Sequence, residues 1–211
     1  ARPPEPGGVV CAANACIDKS EGEYLARMDA DDFSYPERLE EQVRFLDQHP
    51  DIAVCGGQVR IVGPEVRKGF RSYEEWINSL VQPEEIARER FVESPMVQPV
   101  TMMRREAIVS IGGYRDVVWA EDYDLWLRMI QAGMKLAKVP RILLDWYDAP
   151  YRLTRTDDRY SQENFLKAKA HFIAQVASIQ ERGVMISGAG PIGKRIASFL
   201  KGEGIDVHGF L

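Results

Sequence analysis

Apolar residues recur with a helical period over residues 36–48, where Leu39, Val43 and Leu46 lie at positions i, i+4 and i+7. This spacing puts three side chains on one face and predicts an amphipathic helix that ends at His49-Pro50. Helical patterns also predict helices at residues 72–80, 83–91, 104–111, 119–133 and 161–180.

Short apolar runs bounded by turn residues predict the strands of the chain. These runs cover residues 24–28, 52–54, 58–62, 96–103, 135–139 and 141–146, while residues 9–13 fit either a short strand or the start of a helix. Strands that alternate with helices in this way are typical of an α/β protein.

Three aspartates, Asp29, Asp31 and Asp32, follow directly after the first of these strands. Carboxylates crowded at the end of a strand repel one another, and a divalent cation such as Mg²⁺ or Mn²⁺ offsets that repulsion. An acidic run before a helix is also typical of a polar loop whose aspartates cap the helix. Ser34 and Glu37 have the spacing of a capping box, so these residues alone leave both interpretations open.

Acidic residues also crowd the first turn of the helix predicted at residues 119–133. The positive end of a helix lowers the pKa of a carboxyl group there, so we expect the pKa of Asp122 to lie below its ordinary value. Asp124 and Arg128 form an i, i+4 pair, and Gly133 suits the position just after the helix.

A glycine-rich turn marks the last part of the chain. A strand from Val184, the turn Gly188-Ala-Gly-Pro-Ile-Gly193, a helix at residues 194–201 and a second strand at residues 205–211 form the opening β-α-β of a Rossmann-like unit. Glycines at this spacing either bring a phosphate close to the backbone or allow tight packing of strand and helix. We therefore place a partial Rossmann-like unit at residues 183–211, after a connecting helix at residues 156–182.

Composition narrows the class of protein. The 211 residues carry a formal net charge of -5, which argues against a nucleic-acid partner because no basic stripe could neutralise the phosphates. No apolar run approaches the roughly 18–20 residues that span a bilayer, so we expect no transmembrane segment. The three cysteines lack CxxC spacing and the three histidines are scattered, which predicts a reducing compartment and no zinc site.

Several stretches between residues 13 and 155 resemble the family 2 glycosyltransferases, which are inverting enzymes with the GT-A fold. The stretches are Asn14-Ala-Cys-Ile-Asp, Gly22-Glu-Tyr-Leu-Ala-Arg-Met-Asp-Ala-Asp-Asp, Pro36-Glu-Arg-Leu, Gln42-Val-Arg-Phe-Leu, Gly112-Gly113-Tyr114 and Ala120-Glu-Asp-Tyr-Asp-Leu-Trp-Leu-Arg. Their order and spacing are specific to the family. The resemblance implies a GT-A domain at residues 1–155, Rossmann-like, with a mainly parallel mixed sheet flanked by helices.

On the donor side, the resemblance identifies Asp29-Ala-Asp31 as the DxD motif. Asp31 is then the expected direct ligand of Mg²⁺ or Mn²⁺, and Asp29 lies beside the ribose of the nucleotide or beside the metal. Asp32 assists as a ligand or orients the loop, and Asn14 is assigned to binding of the nucleotide sugar.

On the acceptor side, Glu121-Asp122 resembles the family's ED motif, in which the aspartate is the general base. An inverting transfer is an in-line displacement, so it needs a base on the acceptor hydroxyl and a cation on the departing diphosphate. Glu121, Trp119 and Gln98 are assigned to this side of the site. Trp119 could stack on a sugar ring, although aromatic residues at helical spacing more often belong to the core.

The chain departs from the family pattern in three places. Two strands that carry base-binding residues in family members have no counterpart before Ala1, Ala13 replaces a frequent arginine, and Gln98 replaces a frequent histidine. We therefore expect a fragment of a longer enzyme, with an exposed strand edge that promotes self-association.

The favoured function is metal-dependent transfer of a sugar from a nucleotide-diphosphate sugar to a glycan or lipid-linked acceptor. The expected location is the cytoplasm, with peripheral contact at the inner face of the membrane left open. Two other functions stay open as well: a catalytically inactive module that binds nucleotide sugars, and a dinucleotide-dependent oxidoreductase built on the glycine-rich turn.

Overall fold

The computed structural model describes residues 8–63, 68–149 and 152–211. The chain divides into two compact units. The first contains the described residues up to Asp116 together with Glu121–Arg152, and the second contains Val117–Ala120 and Leu153–Leu211. Within the described ranges, no helix combines the length and the apolar character needed to cross a membrane.

Among the described residues, a five-stranded mixed sheet forms the centre of the first unit. Its strands are β1 (Tyr24–Ala26), β2 (Phe33–Ser34), β3 (Ile52–Val62), β4 (Met102–Arg104) and β5 (Lys135–Tyr147), in the order β1-β4-β3-β5-β2. β3 and β5 pair in parallel, whereas the other three pairings are antiparallel. The α/β class and the mixed sheet are confirmed. The resemblance implies a mainly parallel sheet, whereas three of the four pairings among these strands are antiparallel.

β3 and β5 are each one continuous strand where the sequence predicts two. A Cβ atom on Gly57 would lie 2.9 Å from Cδ1 of Leu143, and one on Gly56 would lie 2.9 Å from Cε of Met96. These glycines therefore make room for neighbouring side chains inside β3 and do not form a turn. Pro140 lies in β5 where its register with β3 shifts, an irregularity that tolerates a residue without an N–H.

Six helices are described in the first unit. They are α1 (Gly8–Lys19), α2 (Arg38–Gln48), α3 (Lys68–Ser79), α4 (Pro83–Glu89), α5 (Arg105–Ser110) and α6 (Glu121–Gln131). Residues 9–13 are helical, which resolves the choice left open by their pattern. The strand predicted at residues 96–103 is a 3₁₀ turn, Gln98–Val100, followed by β4, since Pro99 cannot donate to a strand ladder.

The predicted capping box before α2 is not formed. Ser34 pairs with Leu144 in the β2–β5 ladder, so its position belongs to a strand and not to a helix cap. Glu37 takes the N-cap position of α2 and makes no hydrogen bond with its side chain there. The helix consequently starts at Arg38, two residues after Pro36.

Two buried polar side chains of α2 tie this helix to the sheet. Arg38 donates to Oε1 of Gln42 at 3.0 Å and to the carbonyl oxygens of Arg27 and Thr101. Gln42 in turn donates from Nε2 to two backbone carbonyls, one of them that of Val100 at 2.8 Å. These bonds hold Arg27, the residue after β1, against α2.

Lys138 of β5 is a buried lysine with 1% of its surface exposed. Its Nζ donates to the carbonyl oxygen of Ile77 at 2.6 Å. Burial lowers the pKa of the Lys138 amine to about 7, and the negative charge of Glu85 acts in the opposite direction. The core of the first unit therefore contains an amine whose charge changes near neutral pH.

The described part of the second unit consists of helices and one pair of parallel strands. The elements are α7 (Leu153–Thr156), α8 (Gln162–Ala174), α9 (Ala177–Arg182), β6 (Val184–Ile186), α10 (Pro191–Gly202) and β7 (Val207–Phe210). The predicted β-α-β arrangement is confirmed. The predicted connecting helix is instead two helices, because the extended backbone of Val176 separates α8 from α9 and lets both pack on the same apolar core.

The glycine-rich turn packs closely against the start of α10. A Cβ atom on Gly193 would lie 1.9 Å from the carbonyl oxygen of Gly188, whereas one on Gly190 would have no neighbour within 4 Å. Tight packing of turn and helix is therefore sufficient to explain the glycine at position 193.

Candidate active site

The three aspartates lie in the loop between β1 and β2. Asp29 forms an ion pair with Arg27 at 2.6 Å, and Oδ1 of Asp32 accepts a hydrogen bond from the backbone N–H of Tyr147 at 2.8 Å. Asp31 is exposed. Another residue takes the N-cap position of α2, so helix capping does not explain this acidic loop.

Asp32 is held in a setting that disfavours its negative charge. Its Oδ2 atom is buried and has no hydrogen-bond partner. Burial, the largest effect, and the negative charges of Asp29 and Asp31 raise the pKa of Asp32 to about 6. The hydrogen bond from the backbone N–H of Tyr147 lowers this pKa but does not offset the rise. Arg152, a nearby positive charge, also lowers this pKa. The loop thus carries more negative charge than its surroundings offset.

Asp122 lies in the first turn of α6, as predicted, but its pKa is shifted in the direction opposite to the prediction. Burial and the negative charges of Glu121 and Glu93 raise the pKa of Asp122 to about 7. The backbone N–H of Tyr123, which donates to Oδ1 of Asp122 at 2.7 Å, acts in the opposite direction and does not offset this effect. Desolvation and like charges therefore outweigh the helix terminus.

Asn14 is engaged with the turn that precedes α6. Its Nδ2 donates to the carbonyl oxygen of Tyr114, and its Oδ1 accepts from the backbone N–H of Tyr114, both at 2.9 Å. A Cβ atom on Gly113 would lie 2.6 Å from this same Oδ1, so a glycine is needed beside the contact. The structure gives Asn14 a positioning role, and its predicted contact with the donor stays a prediction.

The remaining predicted residues lie in different parts of the chain. Gln98 is in the 3₁₀ turn of the first unit and is 8% exposed; its neighbour Tyr114 is 4% exposed. Glu121 is 2% exposed. Trp119 belongs to the second unit, where its ring centroid lies 5.4 Å from that of His171.

Tyr114 links the acidic loop electrostatically with the start of α6. Burial raises the pKa of its hydroxyl to about 12. The charges of Arg27, on one side, and of Asp122 and Glu121, on the other, are near enough to influence that pKa as well. Because Arg27 is paired with Asp29, the first unit brings the two predicted acidic motifs to the surroundings of one tyrosine.

The sequence did not single out four residues near these acids: Glu93, Tyr73, Trp146 and Arg152. The Arg152 guanidinium lies 4.4 Å from the centre of the Trp146 ring, which is 6.3 Å from the centre of the Tyr73 ring. Burial and the charges of Glu93 and Asp122 raise the pKa of Tyr73, while Arg152 lowers it. These four residues share no sequence motif. The single signal that the sequence offered was Trp146, at the end of the strand predicted at residues 141–146.

A groove of about 550 Å³ runs between α1 and β1. Apolar side chains such as Val9, Ala13 and Leu25 form much of its wall, and it reaches Arg27 and Tyr114. Its size falls within the range of small-molecule pockets. The groove therefore reaches Arg27, the ion-pair partner of Asp29 in the acidic loop.

The family model described as Glycosyl transferase family 2 matches residues 2–112, just over half of the chain. An uncharacterized glycosyltransferase of Haemophilus influenzae is 30% identical over 141 residues, which make up 67% of this chain and 51% of the relative. The amylovoran biosynthesis glycosyltransferase AmsE of Erwinia amylovora is 28% identical over 137 residues, 65% of this chain and 49% of AmsE. The chain thus spans about half the length of these curated relatives.

Among solved structures, S. aureus TarS 1-349 in complex with UDP-GlcNAc is similar to this chain, with a TM-score of 0.54. The sequences are 14% identical, and the match covers 89% of this chain and 50% of the TarS chain. At this identity the likeness shows a shared fold.

Proposed function

The chain belongs to glycosyl transferase family 2 and has the GT-A fold, and from this premise we propose that it transfers a sugar from a nucleotide-diphosphate sugar to an acceptor hydroxyl. The transfer inverts the anomeric carbon. The observation that carries the proposal is Asp122, whose pKa is raised to about 7 by burial and by its acidic neighbours. A general base works best when its pKa is near the working pH.

In this reaction the acceptor oxygen attacks the anomeric carbon as the bond from that carbon to the diphosphate breaks. The proton of the acceptor hydroxyl passes to the carboxylate of Asp122. Glu121 and Glu93 support this transfer because their negative charges raise the affinity of Asp122 for a proton.

Asp31 and Asp32 are the residues that would hold Mg²⁺ or Mn²⁺, with Asp29 beside them. Supporting this fit, Oδ2 of Asp32 is a buried oxygen without a partner, and carboxylate oxygens are the ligands that these hard cations prefer. No cluster of three metal-binding side chains occurs in the parts of the chain that are described. Mg²⁺ commonly takes one or two carboxylates and completes its shell with phosphate oxygens and water. When bound, the cation neutralises charge on the departing diphosphate.

Arg152 adds a fixed positive charge to the same side of the site. Its guanidinium stacks on Trp146 and is close enough to lower the pKa of Asp32. A planar cation held over an aromatic ring suits contact with a diphosphate. Arg152 therefore assists the metal in stabilising the leaving group.

The nature of donor and acceptor is drawn from the relatives. TarS was solved with UDP-GlcNAc, and AmsE is named for the biosynthesis of a polysaccharide, amylovoran. These names support a nucleotide-sugar donor and a glycan or lipid-linked acceptor for this chain. A cytoplasmic location fits such a donor and is part of the proposal.

The proposal is tested in the full-length natural protein with UDP-GlcNAc, UDP-galactose and GDP-mannose as donors. Release of nucleoside diphosphate is measured with Mn²⁺ and with a chelator, in the presence of lipid-linked and soluble glycan acceptors, and NMR of the product determines the anomer. Asp122→Asn is the matched variant, because it keeps the shape of the side chain but cannot take a proton. Donor binding without turnover in the natural protein would instead favour an inactive binding module.

A further inference from the structure

Nε2 of Gln98 and the hydroxyl of Tyr114 are two of five buried side-chain atoms in the described part of the first unit that lack a hydrogen-bond partner. The other three are Oδ2 of Asp32 and the indole nitrogens of Trp126 and Trp146. Gln98 and Tyr114 are both more than nine-tenths buried, with 8% and 4% of their surface exposed. The amide is near enough to lower the pKa of the phenol, but the two groups do not meet in hydrogen-bond geometry. Most buried polar groups in proteins have a partner, so two neighbouring exceptions need a reason.

The backbone of both residues is held by hydrogen bonds. The backbone of Tyr114 is held on both sides by Asn14, and the Gly113 carbonyl before it accepts from Arg128 at 2.6 Å. The backbone carbonyl of Gln98 accepts from the hydroxyl of Thr101 at 2.7 Å. The surrounding structure therefore fixes the backbone of both residues.

A second buried glutamine, Gln42, shows the hydrogen bonds that a purely structural side-chain amide makes in this fold. Nε2 of Gln42 donates to the carbonyl oxygens of Val100 and Cys55, at 2.8 and 3.1 Å. Its Oε1 accepts from Arg38 at 3.0 Å. Gln98 has no such arrangement around its Nε2 atom.

The position of the pair indicates what could satisfy it. Tyr114 lines the same groove as Arg27, which forms an ion pair with Asp29 of the acidic loop, and the charges of Asp122 and Glu121 at the start of α6 influence the pKa of its hydroxyl. If the loop holds the diphosphate and Asp122 takes the acceptor proton, the group between them is the transferred sugar. An amide N–H and a phenol are neutral groups that suit sugar hydroxyls, whereas a phosphate would favour a cation.

We propose that Gln98 and Tyr114 bind hydroxyl groups of the donor sugar and determine which sugar is accepted. This inference rests on the proposed function. The amide of Gln98 donates to one hydroxyl oxygen, and the hydroxyl of Tyr114 donates to or accepts from another. A site built to bond a hydroxyl rejects a sugar that lacks it, because its own polar group is then left unpaired.

The test compares Gln98→Leu and Tyr114→Phe with Gln42→Leu in the full-length natural protein. Calorimetry with Mn²⁺ measures the affinity for UDP-GlcNAc, UDP-galactose and UDP, and for GDP-mannose and GDP. We expect the first two variants to lose about tenfold or more of the preference for the nucleotide sugar over the bare nucleotide. Their unfolding temperature should stay equal or rise, because an unpaired buried group is removed. Gln42→Leu should lower the unfolding temperature and leave the preference unchanged.

Each other outcome has a definite meaning. If Gln98→Leu and Tyr114→Phe keep the full preference, the sugar-binding role is wrong while the proposed function stands. If they destabilise the protein as much as Gln42→Leu does, the two groups have partners within the protein and the inference is wrong. If the natural protein binds no nucleotide sugar with Mn²⁺, the proposed function fails, and the inference fails with it.

Discussion

Arg128 donates from Nε to Oδ2 of Asp124 at 2.7 Å, one turn back along α6, and the two side chains are 5% and 2% exposed. The other guanidinium nitrogens donate to the carbonyl oxygens of Ile111 and Gly113. One buried ion pair therefore joins α6, which carries Asp122 in its first turn, to the turn that positions Tyr114.

Removing the positive member of this pair should be costly. We expect Arg128→Met to lower the free energy of unfolding by about 3–5 kcal/mol, because it removes the positive charge that offsets the buried carboxylate of Asp124. Arg44→Met is the matched control, since Arg44 pairs with Glu40 at the same i, i+4 spacing but both side chains are exposed. It should cost less than about 1 kcal/mol. Similar losses for both variants in urea titrations would contradict this account.

The pH dependence of transfer should follow Asp122. The base is active when ionised, so kcat/KM should rise with pH through about 7 and then level off. Asp122→Asn should slow transfer by about 10²–10⁴-fold and remove the rise. Glu121→Gln should have a milder effect, because that residue acts through Asp122. A profile that stays flat between pH 5 and 8 in the natural protein would rule out this base.

Folding stability should change with pH in the opposite direction. The folded state raises the pKa of Asp122 from the ordinary value, near 4, to about 7, so between these values it binds more protons than the unfolded state. The free energy of unfolding contributed by this group therefore falls as pH rises from about 4 to 7. Chemical denaturation at pH 5 and at pH 8 measures this fall in the free energy of unfolding. The fall should be smaller in Asp122→Asn than in the natural protein, because the asparagine does not titrate.

The exposed Asp31 should matter for binding and not for folding. We expect Asp31→Asn to abolish the effect of Mn²⁺ on nucleotide-sugar affinity while changing the free energy of unfolding by less than about 0.5 kcal/mol. Asp18→Asn, at an exposed position on α1, is the control and should leave binding intact. Persistence of Mn²⁺-dependent binding in Asp31→Asn would show that the metal is held elsewhere.

Lys138 should give the first unit a second, alkaline pH dependence. Burial lowers the pKa of Lys138 to about 7, so between pH 7 and about 10 the unfolded state binds more protons than the folded state. Stability contributed by this group rises with pH across that window. Relative to the natural protein, Lys138→Met should therefore be most favourable at or below pH 7 and lose this advantage towards pH 10. Lys135→Met, at an exposed position in the same strand, should show no such trend.

Glycines of the second unit should differ sharply in their tolerance of a methyl group. Gly193→Ala should strongly destabilise the unit, because its Cβ would meet the Gly188 carbonyl, whereas Gly190→Ala should cost less than about 1 kcal/mol. Limited proteolysis of the two variants reports the difference. Equal sensitivity in both would mean that the turn is not as tightly packed as described.

The sequence predicts helices better than it predicts the roles of glycines and prolines. Most of α2 and α6 follow from apolar periodicity, and Gly133 has the positive φ of 80° expected after a helix. Gly56 and Gly57 lie between the two strands predicted at residues 52–54 and 58–62, yet β3 is continuous through them, since a glycine that makes room for a neighbour looks the same in a sequence as one that ends a strand. The break between α8 and α9 at Val176 was likewise not predictable, because no glycine, proline or other helix-ending residue lies beside it in the sequence.

The site was predictable where its chemistry is local. The acidic loop and Asp122 stand out because acids follow a strand or begin a helix. The direction of the Asp122 pKa shift was not predictable, since it depends on burial and on Glu93, which belongs to a different part of the chain. The sequence did not indicate Arg152 or Trp146 for the same reason. Arg152 approaches Asp32, and Trp146 approaches Tyr73, only in the folded chain.

The contact between Asn14 and Tyr114 spans 100 residues of sequence. Closing so long a loop is entropically unfavourable until other contacts have shortened the effective separation. At ordinary rates of synthesis, roughly 5–20 s pass on the ribosome between these two residues. During that interval α1 cannot make its two bonds to the turn, and the space beside β1 is without its final wall. The two bonds that hold α1 against this turn therefore form only once Tyr114 has been added to the growing chain.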